Sequence, residues 1–236
     1  MSVVIRPRHN FFTQTSVPAG KAPLSDTSEH QVVHLWSLDE DVVVVPGDGA
    51  TETVLSGRWG VQRLPVDGHG LVREALRRME LGPVNLTNVD RVPGTGGRVP
   101  TDLVLLPALR QVAHLVVRTL AMDDLVGPLL SVYPLTRNAA FTLAGRPVRR
   151  LRLVVGATLV VRTEGVVLET PASPYRVVVH RPEAFWVIGM LVRPCLPEDA
   201  VAALPLPPGV TRGVIGYLRA AGMAVPADPV RPGAAR

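Results

Sequence analysis

Residues 159–182 read LVVRTEGVVLETPASPYRVVVHRP. Runs of β-branched residues alternate with Gly, Pro and Ser, a signature of short strands joined by tight turns. Thr158 to Arg162 is predicted as a strand, Thr163-Glu164-Gly165 as a turn and Val166 to Thr170 as the hairpin partner. Pro171 to Pro174 then turns the chain into a further strand, Tyr175 to His180. Residues 42–65, VVVVPGDGATETVLSGRWGVQRLP, repeat the order. Both stretches give strand, glycine turn, strand, small-residue turn, strand, then helix.

Working outward, Val32 to Trp36 is a strand before the first copy. After Asp67-Gly68 the period changes. Leu71, Val72, Ala75, Leu76 and Met79 share one helical face, and Gly82-Pro83 ends that helix. Residues 91–100 form a loop. A second helix is predicted from Thr101, with Leu106, Leu109, Val112, Ala113, Val116, Val117 and Leu120 as its apolar positions and Pro107 in its first turn. Leu129 to Leu135 is a strand, and residues 136–147 are turn-like. Leu151, Leu153 and Val155 alternate with Arg150, Arg152 and Val154. Three short helices follow the second copy: Pro182 to Leu191, Leu196 to Leu204 and Val210 to Ala221.

The expected fold is α+β: two tandem winged-helix-like units, each a small antiparallel sheet followed by short helices. The expected organisation is an N-terminal arm or tail over 1–29, a first unit over 30–127, a second over 128–225 and a disordered tail over 226–236. Two tandem copies are simpler than a solenoid for a repeat this long.

Composition narrows the function classes. The chain has 236 residues, 47% hydrophobic and only 19% charged, so it can bury a core. No stretch has roughly 18 uninterrupted apolar residues, and no secretory signal is legible, so a cytoplasmic location is expected. The net charge is +5 and the sequence pI 10.3. Of 25 basic residues, Lys21 alone is lysine, a bias that fits a GC-rich coding style as well as phosphate contacts.

Catalytic and metal signatures are weak. Cys195 lies between Pro194 and Leu196 with no histidine beside it, which suits a buried structural thiol. His30 and His34 are four apart but precede or enter a strand, where that spacing does not align metal ligands. Asp39-Glu40-Asp41 reads as a solvated turn, and Asp123-Asp124 as capping or following a helix. Gly94-Thr95-Gly96-Gly97 is not followed by Lys-Ser/Thr and does not open a βαβ unit, so neither a P-loop nor a dinucleotide fingerprint is present.

Leu168-Glu169-Thr170-Pro171, Val178-Val179-His180-Arg181-Pro182 and Arg219-Ala220-Ala221-Gly222, with the stretches Pro128 to Leu135 and Arg149 to Val161, resemble a known pattern. It is the region before the catalytic domain of SagB-type dehydrogenases, nitroreductase-like FMN enzymes that oxidise thiazolines and oxazolines in ribosomally made, azole-containing peptides. The resemblance covers about residues 100–225 and more loosely reaches back to 31. In that family an FMN domain follows; here the chain ends after Val225 and a Pro/Arg tail, with no Arg-Ser-x-Arg-like flavin motif. The resemblance therefore implies the precursor-recognition or scaffold half, no cofactor in this chain, and FMN on a partner.

Winged-helix modules in such pathways bind a leader peptide as an added strand against the last helix, a β-augmentation. The resemblance places that groove between Tyr175–His180 and Val210–Ala221. Arg176, Val178 and His180 would line the strand side, and Arg212, Tyr217 and Arg219 the helix side. The two helix arginines could meet an acidic leader.

Three functions are compatible with these features. The first is a non-catalytic recognition or scaffold protein that works with an FMN dehydrogenase or a cyclodehydratase on a leader peptide. The second is a subunit or truncated form of the FMN-dependent azoline dehydrogenase. The third is a winged-helix DNA-binding regulator, for which the basic charge speaks. Against it, the last helix offers Arg212 and Arg219 but no Asn, Gln or Lys for base edges.

Overall fold

In the computed structural model the described residues are 31–47, 52–65, 70–89, 101–143, 145, 149–163 and 165–227. The first half gives β1 (Val32–Leu38), β2 (Val43–Pro46), β3 (Glu52–Gly57), β4 (Gly60–Pro65), α1 (Leu71–Leu81), α2 (Thr101–Gln111) and β5 (Val116–Met122). The second half gives β6 (Pro128–Pro134), β7 (Leu151–Leu153), β8 (Thr158–Arg162), β9 (Gly165–Glu169), β10 (Tyr175–Val179), α3 (Pro182–Met190), α4 (Pro197–Ala203), α5 (Pro208–Ala220) and β11 (Ala224–Pro226). The α+β class with antiparallel sheets is as expected.

The largest sheet has the order β1-β5-β6-β10-β9-β8, with every pairing antiparallel. It takes β1 and β5 from the expected first unit and four strands from the expected second. The anticipated boundary at 127/128 lies in the turn between β5 and β6, so the sheet continues across it. A three-stranded sheet, β2-β3-β4, and a ribbon of β7 and β11 complete the strands.

One face of the large sheet is the core face. Leu120, Leu130, Val132, Tyr175, Val177 and Val179 pack there with Val187 and Ile188 of α3 and Val214, Tyr217 and Leu218 of α5. Gly213 brings α5 close to the sheet: a Cβ there would sit 3.2 Å from Leu120 and 3.4 Å from Val32. A second core joins Leu55 and Leu64 of the small sheet to Leu71, Ala75, Leu76 and Met79 of α1, Leu105 and Leu109 of α2, and Leu38 and Val116. The α1 face is the one the sequence spacing marks, and Gly70, in the left-handed region at φ 69°, precedes its first residue. Arg58 ties the small sheet to the large one, donating to Asp39 Oδ2 at 2.6 Å and to the Pro134 carbonyl at 3.0 Å.

Five local expectations are corrected. Residues 112–120 do not extend the second helix, which ends at Gln111; 116–122 form β5. A central strand buried on both faces loses its alternation and can imitate a helical apolar stripe. Pro107 lies inside α2 rather than in its first turn. Asp39 is buried and paired with Arg58, not part of a solvated turn, and burial raises its carboxyl despite that arginine. Asp123 and Asp124 follow a strand, and Asp124 pairs with Arg181 at 2.7 Å. Pro226 belongs to β11, and the Ala227 N–H donates to the Arg150 carbonyl at 2.9 Å, so the expected tail begins as sheet. His30 and the glycine-rich loop at 94–97 lie outside the described residues. No helix among the described residues is long and apolar enough to cross a membrane.

Candidate functional site

Arg176, Val178 and His180 do share one face. The Arg176 guanidinium lies 5.1 Å from the Tyr133 ring centroid, Val178 is buried opposite Ser131, and His180 Nε2 is 3.0 Å from Ser131 Oγ. This face is turned away from α5, because the alternate residues Tyr175, Val177 and Val179 supply the core on which α5 packs. Arg212, Tyr217 and Arg219 are therefore on the other side of the sheet. Arg212 pairs with Glu198 at 3.1 Å, Arg219 donates to the Gly145 carbonyl at 2.9 Å, and Tyr217 is fully buried. The six residues do not line one groove. Nor can a peptide pair beside Tyr175–Val179, since β10 is bonded to β6 on one edge and β9 on the other.

In the six-stranded sheet the end strand whose outer edge has no partner among the described residues is β8. It ends the sheet order, bonds to β9 alone among the described residues, and all five of its residues are exposed. Val161 is 81% exposed and Leu159 is half exposed. Edge strands are normally blunted by charge or proline. Here the one charged residue, Arg162, is drawn back onto Glu169 of β9 at 2.9 Å. At the opposite end of the sheet β1 is partly covered, because Trp36 and Val84 exchange backbone hydrogen bonds of 2.9 and 2.8 Å.

A second feature lies near the junction of the two cores. Arg118 of β5 is paired in register with Trp36 of β1. Its guanidinium carbon lies 3.2 Å from the centre of the Trp36 ring and 5.0 Å from that of Phe141. Arg118 is 8% exposed, its Nε has no hydrogen-bond partner, and no carboxylate pairs with it among the described residues. Burial lowers its guanidinium to about 10, against the Tyr217 and Tyr175 hydroxyls, which favour the charge. It remains a cation at neutral pH. A cavity of about 500 Å³ opens beside it, walled by Trp36, Leu106, Leu109, Val116, Phe141 and Leu143, with exposed Arg110 also on its lining.

Tyr217 links α5 to this corner. Its hydroxyl donates to the Thr119 carbonyl at 3.1 Å and lies 3.1 Å from His34 Nδ1. A phenol has one proton, so His34 Nδ1 must carry the hydrogen and donate to it. Burial, then the Arg118 charge, lowers the His34 imidazole, while burial pushes the Tyr217 hydroxyl up to about 12. Sequence reasoning missed Arg118 and Trp36. The available signal was a lone arginine inside the apolar run VVRTLAM.

Nucleophilic and metal chemistry find no support in the described residues. Cys195 is buried, its Sγ donates to the Leu196 carbonyl at 3.2 Å, and burial raises its thiol. No group of three or more His, Cys, Asp or Glu among them could hold a metal ion. No protein-family model matches the chain, and no curated protein matches it.

Proposed function

We propose that the protein is a cytoplasmic, non-catalytic recognition or scaffold protein that takes a peptide as an added strand along the free edge of β8. The observation that carries this reading is that edge: five exposed residues, three of them Leu159, Val160 and Val161, ending a six-stranded antiparallel sheet. Main-chain hydrogen bonds would supply affinity, and the exposed side chains of β8 would meet alternate residues of the peptide. The resemblance of about residues 100–225 to the pre-catalytic region of azoline dehydrogenases supports a leader peptide as the strand. It also supports an FMN dehydrogenase or a cyclodehydratase as the partner. The winged-helix-like organisation of each half, suggested by the repeat of residues 42–65 in 159–182, is part of the same reading.

The test is titration of the full chain with the leader peptide encoded nearby, beside the same peptide N-methylated at alternate residues. Binding at tens of micromolar or tighter that N-methylation abolishes supports strand addition. Equal binding of both peptides, or none, counts against it. A purified protein that is yellow, with flavin absorbance, would favour the dehydrogenase subunit instead.

A further inference from the structure

We propose that the cavity beside Arg118 is a binding site for a monocarboxylic acid with an apolar body, seated with its carboxylate on that guanidinium. This site is separate from the β8 edge and does not depend on how that edge is used.

Three observations point the same way. The cavity volume, about 500 Å³, is in the range of small-molecule sites, and its described walls are largely apolar and aromatic. One lining residue is a cation that is more than nine-tenths buried, has an unpartnered Nε, and has no counter-charge among the described residues. The neutral Tyr217 hydroxyl hydrogen-bonds the guanidinium, but a desolvated charge without a counter-ion is costly to keep, and an arriving anion relieves that cost. The described lining contains two arginines, Arg118 and Arg110, and no acidic residue.

The same geometry selects the ligand's head group. The guanidinium carbon lies 3.2 Å from the centre of the Trp36 ring, so the indole occupies that side and hydrogen bonding is left to the N–H groups directed elsewhere. A planar carboxylate matches such a fork with two parallel hydrogen bonds. A phosphate dianion calls for several donors, and beside Arg118 the described lining offers the Thr142 hydroxyl and the exposed Arg110 among otherwise apolar side chains, so phosphate is made a competitor in the test. The tail would run along Leu106, Leu109 and Leu143, with Arg110 exposed to solvent on the lining.

The test uses the full chain with decanoate, decanol and inorganic phosphate, read by tryptophan fluorescence and by calorimetry. Trp36 lies in the wall and reports occupancy. Decanoate is expected to bind at least about tenfold more tightly than decanol, a preference of the size a charge-assisted hydrogen bond supplies. Arg118→Met should erase that preference while leaving decanol binding in place. Leu106→Trp, a partly exposed wall position, should weaken both ligands about tenfold or more by filling the cavity, and it keeps the test open if the arginine variant does not fold.

Equal binding of decanol and decanoate overturns the proposal. So does no binding of either up to about 1 mM, a threshold for any useful affinity. Decanoate binding that Leu106→Trp leaves unchanged places the ligand elsewhere and overturns it as well. Displacement of decanoate by inorganic phosphate at equal concentration would mean a bare anion site, and would also overturn it.

Discussion

Arg118 and Trp36 face each other across β1 and β5, and the guanidinium rests 3.2 Å from the centre of the indole ring. The register makes the contact: residues directly opposite in an antiparallel pair project to the same side. The stacked ring supplies part of what water gave the cation, at about 2 kcal/mol for a desolvated pair. It does not replace a counter-ion.

Replacing the cation should therefore not unfold the protein. Arg118→Met keeps the length of the side chain and removes a buried charge. Stability is expected to rise by about 1 kcal/mol, since the relieved desolvation exceeds the lost cation–π contact. Urea unfolding of the two proteins checks this, and a lower midpoint for the variant would contradict it.

Tyr217→Phe removes the donor to the Thr119 carbonyl and the acceptor for His34 Nδ1. The ring still fills its place in the core, so the loss is confined to polar groups. A cost of about 1–3 kcal/mol is expected for leaving a buried partner unsatisfied. In the same variant the His34 ring resonances should change their pH titration in NMR spectra, because Tyr217 no longer accepts from Nδ1.

Acid should destabilise the protein through its histidines. Burial lowers the imidazole of His114, with Arg137 adding to the effect, and burial also lowers His34 and His180. Below the ordinary value of 6.5 the unfolded chain takes up protons that the folded chain refuses. Stability is thus full above about 6.5 and falls as the pH drops through the lowered folded values. Urea midpoints measured from pH 7.5 to 5 should decline, and a His114→Phe variant should decline less steeply. A flat profile in that window would refute the assignment.

The ion pairs of two arginines should differ in worth. Arg181 is largely buried and holds both Asp124 at 2.7 Å and Glu183 at 2.5 Å. Arg181→Leu leaves two carboxylates facing one another, and about 3 kcal/mol should be lost. Arg162 and Glu169 are far more open to solvent, so Arg162→Leu should change stability by about 1 kcal/mol or less. Equal losses from the two substitutions would show that burial does not set the scale here.

Most of the local elements were legible in the sequence, because their signals are local. The Leu71–Met79 stripe has helical spacing, Gly82 ends it, and Tyr175–Val179 alternates β-branched residues between turn signals. The α+β class follows from such elements. Central strand β5 was not legible as a strand, because a segment buried on both sides carries no alternation to read. Strand order was not legible either. That β10 sits between β6 and β9, leaving β8 with the free edge, depends on pairings between residues far apart in the chain. The same holds for the candidate sites. Arg176 and Arg219 were visible as basic residues, but that Arg176 projects from one face of β10 while α5 packs on the other is decided only once the sheet and helix have packed. Arg118 was one arginine among 24 in the sequence. Tertiary packing buried it against Trp36, left it without a carboxylate and opened an apolar cavity beside it, since burial and partnership are properties of neighbours in space.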